Sequence, residues 1–378
     1  MSEFQASNFT KENGGTPDLL GKTELTSPYF FVPPSGDTAS RPQSCAAGTL
    51  RFNTDIGTLE VYRGDRIGWE SIQKREGQYL GGGITPNLGS NSGTGTRGVV
   101  AGGNTPTVQD KIEYVTISTF GNVQDFGDLL SANTAIAGLA SNTRGIFQGG
   151  SNPNTNVIQF ITIASTGNAQ DFGDSLKSCG YGAGLSNQVR GVVGGGTPTN
   201  VIDYITIATT GDAVDFGDLN DAGEIRMGFA SSTRGIMGGG RALNVIDFIT
   251  IMTTGDATDF GDLTMTTHVP GGCSNATRGL CNLRPSTSPF YLNTVEFVTI
   301  ATLGNSIDFG DSTNNAGGTG GMSSSTRALF AGGYGSGDGF QAEIASFEIA
   351  TTGNAVDFGD MTYSADNVCG LSNGHGGL

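Results

Sequence analysis

The sequence is poor in charged residues, in histidine and in long apolar runs, and each shortage excludes a class of protein. Only 14% of its 378 residues are charged, which excludes a coiled coil or a helical array, because these need many Ala, Glu, Lys and Leu residues. Two histidines, His268 and His375, are too few for a multi-histidine metal site and give a Ser-His-Asp triad only two candidate bases. No apolar run approaches the roughly 20 residues that span a bilayer, so membrane insertion is not expected.

Cysteine and basic residues are scarce as well. The five cysteines are too few and too scattered for a disulfide framework, which suits folding in a reducing cytoplasm. They are Cys45, Cys179, Cys273, Cys281 and Cys369. The first residues, MSEFQASNFTKENGG, lack the cationic end and apolar core of a signal peptide. A net charge of −16 argues against nucleic acid, which requires a basic stripe. The acidic balance favours solubility, with binding of divalent cations as the alternative.

The chain is instead rich in glycine, with 63 residues, and contains an internal repeat. The tetrapeptide DFGD occurs six times, beginning at Asp125, Asp171, Asp215, Asp259, Asp308 and Asp357. Before each copy lies an Arg-Gly-apolar run, such as RGVVGGG from Arg190, or RALFAGG from Arg327 in the sixth unit, and then a β-branched run with a glycine turn, such as VIDYITIATTGD from Val201. Each unit therefore holds four short strands, called a to d, which is one propeller blade. The sequence predicts an all-β fold, a six-bladed kelch-like β-propeller.

The last segment of the chain resembles a strand a. NVCGLSNGHGGL from Asn367 matches GYGAGLSNQVRG from Gly180, and the sixth unit already has its own strand a. We expect this segment to supply strand a of the first blade, which begins near Thr96, because such closure removes an exposed edge. The alternative closure uses GSNSGTGTRG from Gly89.

Two charged residues recur in every unit and are interpreted as architecture. The arginines are Arg97, Arg144, Arg190, Arg234, Arg278 and Arg327. The aspartates that end DFGD are Asp128, Asp174, Asp218, Asp262, Asp311 and Asp360. We expect each Arg to donate to a DFGD carboxylate or to a backbone carbonyl of its own or the adjacent blade. The alternative is an arginine ring that lines a central channel for an anion. The DFGD phenylalanine, such as Phe216, is expected to wedge between blades, and the tetrapeptide lacks the ligand spacing of a calcium loop.

The two faces of the predicted propeller differ in sequence. The a–b and c–d turns share one face, the uniform face, because SNTRG and TTGN turns recur there. The b–c loops and d–a connections share the other, the variable face, where recognition residues are expected. The aromatic candidates for ligand contact are Tyr181, Phe290, Tyr291, Tyr334, Phe340 and Tyr363. The alternative is that these loops contact nothing. Units five and six carry the longest b–c loops and depart most from the pattern, with RGLCNLRPS, Ala328 and Glu348.

No catalytic residues, cofactor or metal are predicted. The non-repeated acids, such as Asp221, Glu224 and Asp338, show no pairing of the kind that glycosidases use. The GGG stretches end a strand in most units, so phosphate binding is a poor interpretation. The protein is therefore expected not to be an enzyme.

The N-terminal part lies outside the repeat. We expect an extended arm over residues 1–47, a small β module over residues 48–78 and the propeller over residues 79–378. Three short strands in the module, ending near Trp69, bury little surface. The module is therefore expected to need a partner surface or a trimer.

The combination of GTLRFNTDIGTLEVYRGD with IGWESI and the tandem TRGxxGGG…VIDYITIATTGDAxDFGD units resembles the kelch-like virion structural proteins of marine bacteriophages, especially cyanophages. The resemblance covers nearly the whole chain and implies a tail-fibre or surface-appendage protein, assembled in the host cytoplasm and located in the virion. It implies contact with other virion proteins through the N-terminal region and a homo-oligomer. It further implies recognition of a host surface glycan or protein. A purely structural decoration or connector protein and an intracellular kelch-type scaffold are the alternatives.

Overall fold

The structure is a computed structural model that describes residues 34–42, 45–55, 58–64, 68–72, 96–178, 180–196, 199–222, 227–268, 270–335 and 339–378. The chain divides into two compact units, Met1–Glu76 and Gly77–Leu378. All helices and strands assigned among the described residues are β-strands, joined by turns and loops. This part of the chain contains no helix that is long and apolar enough to cross a membrane.

The N-terminal unit contains a four-stranded sheet rather than the expected three strands. Its strands, in sheet order, are β1 (Ser35–Gly36), β2 (Leu50–Asn53), β3 (Thr58–Tyr62) and β4 (Trp69–Ile72). Strand β1 pairs in parallel with β2, so the end of the predicted arm belongs to the module. Arg41 of the same segment forms an ion pair with buried Glu60, and the Trp69 indole donates to the Pro42 carbonyl at 2.9 Å. Residues 1–33 of the predicted arm lie outside the described residues.

The repeats of the C-terminal unit form small antiparallel sheets, named sheet 1 to sheet 6 along the chain, and strands are numbered in sequence order. Sheet 1 contains β5 (Arg97–Ala101), β6 (Asn104–Thr105), β7 (Thr107–Thr116), β8 (Gln124–Asn133) and β32 (Cys369–Ser372). Sheet 2 contains β9 (Ala137–Ala140), β10 (Arg144–Gln148), β11 (Val157–Thr162) and β12 (Gln170–Asp174). Sheet 3 contains β13 (Ala183–Ser186), β14 (Arg190–Gly194), β15 (Val201–Thr206) and β16 (Val214–Asp218).

The later sheets follow the same order of strands. Sheet 4 contains β17 (Met227–Ala230), β18 (Arg234–Gly238), β19 (Leu243–Thr250) and β20 (Thr258–Thr267). Sheet 5 contains β21 (Gly271–Ser274), β22 (Arg278–Asn282), β23 (Thr294–Thr299) and β24 (Ile307–Asp311). Sheet 6 contains β26 (Gly320–Ser323), β27 (Arg327–Ala331), β30 (Glu343–Glu348) and β31 (Val356–Asp360). A separate three-stranded sheet contains β25 (Ala316–Gly317), β28 (Tyr334–Gly335) and β29 (Gly339–Phe340). The C-terminal unit is therefore a β-propeller-like assembly of small four-stranded sheets.

Strand a of sheet 1 comes from the far end of the sequence. Strand β32 pairs with β5 in antiparallel register, with Cys369 opposite Ala101 and Ser372 opposite Gly98. This is the pairing that the sequence comparison predicts for this segment. Residues 89–95, the alternative source of the strand, lie outside the described residues.

Each hydrophobic cluster is shared by two neighbouring sheets. Sheets 1 and 2 share a cluster around Phe126, sheets 2 and 3 one around Phe172, and sheets 3 and 4 one around Phe216. Equivalent clusters join sheets 4 to 5, 5 to 6 and 6 to 1. The DFGD phenylalanines in these clusters are at most 3% exposed. Burying one such ring contributes roughly 1.5–3 kcal/mol, so the predicted wedges stabilise the seams between sheets.

The rest of DFGD forms a backbone contact with the following sheet. The turn glycine of sheet 4, Gly255, donates to the Phe216 carbonyl of sheet 3 at 2.7 Å. The Asp218 amide donates to the Asp256 carboxylate at 3.0 Å. Gly217 has a φ of 145°, and a Cβ there would lie 2.4 Å from the Gly255 oxygen. The same two hydrogen bonds join the other pairs of neighbouring sheets, including sheet 6 to sheet 1. DFGD therefore requires glycine because the next turn approaches its backbone closely.

Candidate functional site

The b–c loops of sheets 5 and 6 meet on the variable face and bring three predicted aromatic residues together. The Tyr291 and Tyr334 ring centroids are 6.0 Å apart, and Tyr334 meets Phe340 edge to face at 5.2 Å. Strand β28 holds Tyr334 opposite both Phe340 and Gly317, so the short three-stranded sheet fixes this part of the cluster. All three rings are half-buried. We name Arg284, Tyr291, Tyr334 and Phe340 the aromatic–arginine cluster.

Arg284 belongs to the cluster because sheet 5 departs from the repeat. The other five units have a glycine pair after strand b, and both glycines have positive φ, as in Gly195 and Gly196. Sheet 5 has Leu283 and Arg284 there. The guanidinium carbon lies 4.7 Å from the Tyr291 ring centroid, and Nη2 donates to the Tyr291 hydroxyl at 3.0 Å. The departure of RGLCNLRPS from the pattern was the sequence signal, but it did not assign Arg284 a role.

The arginine stem rests on a glycine of the three-stranded sheet. A Cβ at Gly317 would lie 2.4 Å from the Arg284 Cδ, so the stem fills the space above that backbone. Asp366 contributes to the electrostatic field at Arg284. Burial raises the pKa of the Asp366 carboxyl, while Asn104 and Arg284 oppose that rise. The cluster thus has a fixed cation with a partly buried carboxyl group nearby.

The remaining aromatic candidates lie apart from this cluster. Phe290 is 51% exposed in the sheet 5 loop. Tyr181 is half-buried and lines a depression between the inner strands, with Pro270, Thr319 and Asn367. Tyr363 is half-buried as well, between sheets 6 and 1. Its hydroxyl donates to the Gly102 carbonyl at 2.8 Å, and burial raises its pKa.

The six repeated arginines lie at the seams between sheets. Each donates from Nη1 to a backbone carbonyl of the next sheet at 2.7–3.1 Å. Each guanidinium also lies 4.1–4.8 Å from an aromatic centroid, as Arg190 does over Tyr204. None of these arginines lines either of the two depressions between the a strands, the one that contains Tyr181 and the one that contains His375. The alternative of an anion-binding arginine ring is therefore not supported.

Five of the repeated aspartates are exposed and Asp262 is half-buried, and all six bond to the next sheet through their backbone amides. Each amide donates to the Asn or Asp side chain of the next sheet's turn at 2.9–3.2 Å. No hydrogen bond joins a repeated arginine to one of these carboxylates within the described ranges. The same ranges contain no group of three His, Cys, Asp or Glu that could hold a metal ion. Glu224 and Asp338 lie outside them, and Asp221 is exposed.

A second set of acidic groups at the seams was missed from sequence. The residue of strand c that pairs with the first aspartate of DFGD is Glu113, Asp203, Asp247 or Glu296 in four sheets, and all four are buried. Asp203 accepts from Ser175 Oγ at 2.6 Å and from Gln148 Nε2 at 2.9 Å, both in the preceding sheet. Burial raises the pKa of Glu113, and the bonds from Thr362 oppose the rise. The sequence signal for these buried acids was one acidic residue at the same position of strand c in four units, within a run of mainly apolar and β-branched residues.

Residues 374–378 lie in the space between the a strands of the six sheets, at the end nearest the uniform face. The His375 Nε2 lies 3.0 Å from the Ala140 carbonyl, and its Nδ1 accepts from the Gly377 amide at 3.1 Å. The Gly376 amide donates to the Ser274 carbonyl at 2.8 Å. Burial lowers the His375 pKa to about 4, so the imidazole is neutral and structural at pH 7.

Comparisons with known proteins give no assignment. No protein-family model matches the chain. No curated protein matches it either.

Proposed function

We propose that sheets 1 to 6 are the blades of a closed six-bladed propeller. Contacts between strands a support this: each strand a meets that of the next sheet, and strand a of sheet 6, β26, meets β32 of sheet 1. The shared clusters and the arginine bonds follow the same cyclic order. An electron cryomicroscopy reconstruction tests the proposal, since an open stack or another blade number would contradict it.

We further propose that the protein is a virion structural protein of the kelch-like marine phage type, a tail-fibre or surface-appendage component. The propeller presents its variable face to a host surface glycan or protein, and no catalytic step or cofactor is involved. The aromatic–arginine cluster is the observation that carries this proposal. Its rings are only half-buried, whereas the c–d turns of the uniform face contribute hydrogen bonds to the seams.

The interior of the N-terminal module supports attachment to a partner. Within residues 34–42, 45–55, 59–64 and 68–69, the buried polar residues are Arg51, Asn53 and Glu60, and the one buried hydrophobic residue is Tyr62. Leu50, by contrast, is 45% exposed. A sheet of this size with so little buried apolar surface gains little stability by itself. We propose that this unit binds other virion proteins or further copies of the chain, in a trimer for example.

The test combines a binding assay with a deletion in the phage. Labelled full-length protein is expected to bind host cells, and Tyr334→Ala is expected to weaken binding. Leu303→Ser, on the uniform face, is the matched control. Deleting residues 1–78 from the phage gene is expected to abolish incorporation into virions. A protein that never enters virions would contradict the virion role.

Exposed apolar residues favour one second candidate, a decoration or connector protein that packs against neighbouring subunits. Leu303 and Ile307 of sheet 5 are 60% and 58% exposed, and Val356 of sheet 6 is 54% exposed. If host cells do not bind the protein, while Ile307→Ser reduces its incorporation into virions, this second function replaces host recognition.

A further inference from the structure

We propose that the aromatic–arginine cluster binds a saccharide that carries a carboxylate, such as a uronic acid unit. The inference rests on the proposed recognition function of the variable face and names the ligand chemistry of that same site. Arg284 would pair with the carboxylate, and the rings of Tyr334 and Phe340 would contact the apolar face of the sugar.

The guanidinium has unused donors. Nη2 is bonded to the Tyr291 hydroxyl, whereas Nε and Nη1 have no hydrogen-bond partner among the residues that the structure describes and are not enclosed by them. No carboxylate lies within 4.0 Å of Arg284 in the described part of the chain. Nη2 carries two hydrogens and uses one of them on Tyr291, so its second N–H, together with the N–H of Nε or of Nη1 on the same edge, can bind a carboxylate in bidentate geometry. Every repeated arginine, by contrast, donates to a carbonyl of the next sheet.

The side chain is also held in place before any ligand arrives. One face of the guanidinium lies over Tyr291 at 4.7 Å, and the stem covers Gly317. Tyr291 is in turn in contact with Tyr334. A preorganised arginine loses less conformational entropy on binding, so more of the interaction energy appears as affinity.

The aromatic part of the cluster suits a sugar ring. Tyr334 and Phe340 meet edge to face at an interplanar angle of 78°, and both rings are only half-buried, so part of their apolar surface is open to a ligand. The Tyr334 hydroxyl has no partner among the described residues and is not enclosed, which leaves it able to bond a sugar hydroxyl. Tyrosine combines such a polar tip with a large apolar area.

Charge favours a ligand with isolated carboxylates over an acidic peptide. The protein has a net charge of −16, so a partner with dense negative charge is repelled at long range. Arg284 supplies a single positive charge, which neutralises one carboxylate. A sugar with one carboxylate per unit meets that condition, whereas a run of acidic residues does not.

The experiment measures binding of a tri-uronate, and of the same trisaccharide with its carboxylates methyl-esterified, to the full-length protein by calorimetry. The tri-uronate is expected to bind, more weakly at high salt, and the ester to bind at least tenfold more weakly. Arg284→Gln is expected to weaken tri-uronate binding roughly 10- to 100-fold. Arg241→Gln, which removes an exposed positive charge from the equivalent loop of sheet 4, is expected to leave it unchanged.

Several outcomes would overturn the inference. These are equal binding of tri-uronate and ester, no binding of either, an unchanged affinity in Arg284→Gln, or binding of an acidic peptide in place of the saccharide. If Arg284→Gln lowers the melting temperature, Arg284→Lys and Tyr334→Phe test the site, because each retains most of the packing. Host-cell binding separates the two proposals. If adhesion to host cells survives Arg284→Gln, only the saccharide proposal fails. If the protein binds the tri-uronate but does not adhere to host cells, only the host-recognition proposal fails.

Discussion

The two seams of sheet 6 differ from the other four in the residues that form them. In a regular seam, a glycine after the repeated arginine faces a large side chain of the preceding sheet. A Cβ at Gly279 would lie 1.9 Å from the Phe229 ring, and one at Gly191 would lie 2.4 Å from Leu139. Sheet 6 has Ala328 at this position, and the preceding sheet has Cys273, the smallest side chain of its set. The extra methyl group is accommodated because its neighbour is smaller.

The seam between sheets 6 and 1 shows a second matched change. The arginines of sheets 1 to 5 stack on an aromatic residue of strand c in their own sheet, as Arg278 does on Phe297 at 4.8 Å. Sheet 6 has Ser346 there, and Arg327 lies 4.6 Å from Phe120, which belongs to the c–d turn of sheet 1. The comparison teaches that the unit of packing spans two sheets, so a change in one repeat is compensated in its neighbour.

The largest expected effect comes from breaking a regular seam. Gly217→Ala is expected to destabilise the protein by about 3 kcal/mol or more, because the new Cβ meets the Gly255 backbone in addition to a strained φ. Gly211→Ala has a similar φ of 153° but nothing within 4 Å, so it is expected to cost about 1–2 kcal/mol. Urea unfolding measures both. Equal losses would show that the close approach contributes nothing.

The second prediction makes the seam of sheets 5 and 6 resemble the regular seams. Cys273→Leu is expected to cost roughly 1–3 kcal/mol, because the larger side chain meets Ala328. In that background, Ala328→Gly is expected to restore stability, although alone it costs roughly 0.5–1 kcal/mol. A double-mutant cycle measures the coupling. Additive effects would refute the compensation.

The third prediction concerns the seam of sheets 6 and 1. Phe120→Thr is expected to cost about 1 kcal/mol, because Arg327 and Phe358 both lose an aromatic neighbour. Adding Ser346→Phe to the Phe120→Thr protein is expected to recover part of this loss, because strand c then supplies an aromatic ring for Arg327. Leu303→Thr, at the same turn position in sheet 5, is the control and is expected to change little. The melting temperature of the four proteins tests the prediction.

The last prediction is a pH dependence at the segment that fills the uniform-face end. The His375 pKa is about 4 in the folded protein against an ordinary value of 6.5. Its neutral form is therefore favoured by folding, and that contribution is complete above pH 6.5 and is lost as pH falls towards 4. Between pH 7 and 5, the melting temperature of the wild type is expected to fall more than that of His375→Asn. Parallel pH profiles would contradict the burial of the imidazole.

The repeated strands and their order could be predicted from sequence. The paired changes at the seams of sheet 6 could not. Strand periodicity and the DFGD spacing located the strands, because every copy meets the same local constraints. The partners of the arginines were not predictable, because a carbonyl of the next sheet leaves no signature in the sequence of the donor's own repeat. Arg284 was missed for a related reason: its position depends on two loops of irregular length that meet only in the folded chain. The bond of Tyr363 to the Gly102 carbonyl could not be predicted either, because the two residues are far apart in sequence.

The pairing of β32 with β5 has a consequence for the order in which the protein can fold during synthesis. The Arg97 amide donates to the Asn373 side chain across 276 residues of sequence. A ribosome adds roughly 5–20 residues per second, so tens of seconds separate the two halves of this sheet. Until then β5 has an unpaired edge, which is a site for mispairing with other nascent chains. Sheets 2 to 5, built from consecutive residues, can form during that interval, and sheet 1 is completed last.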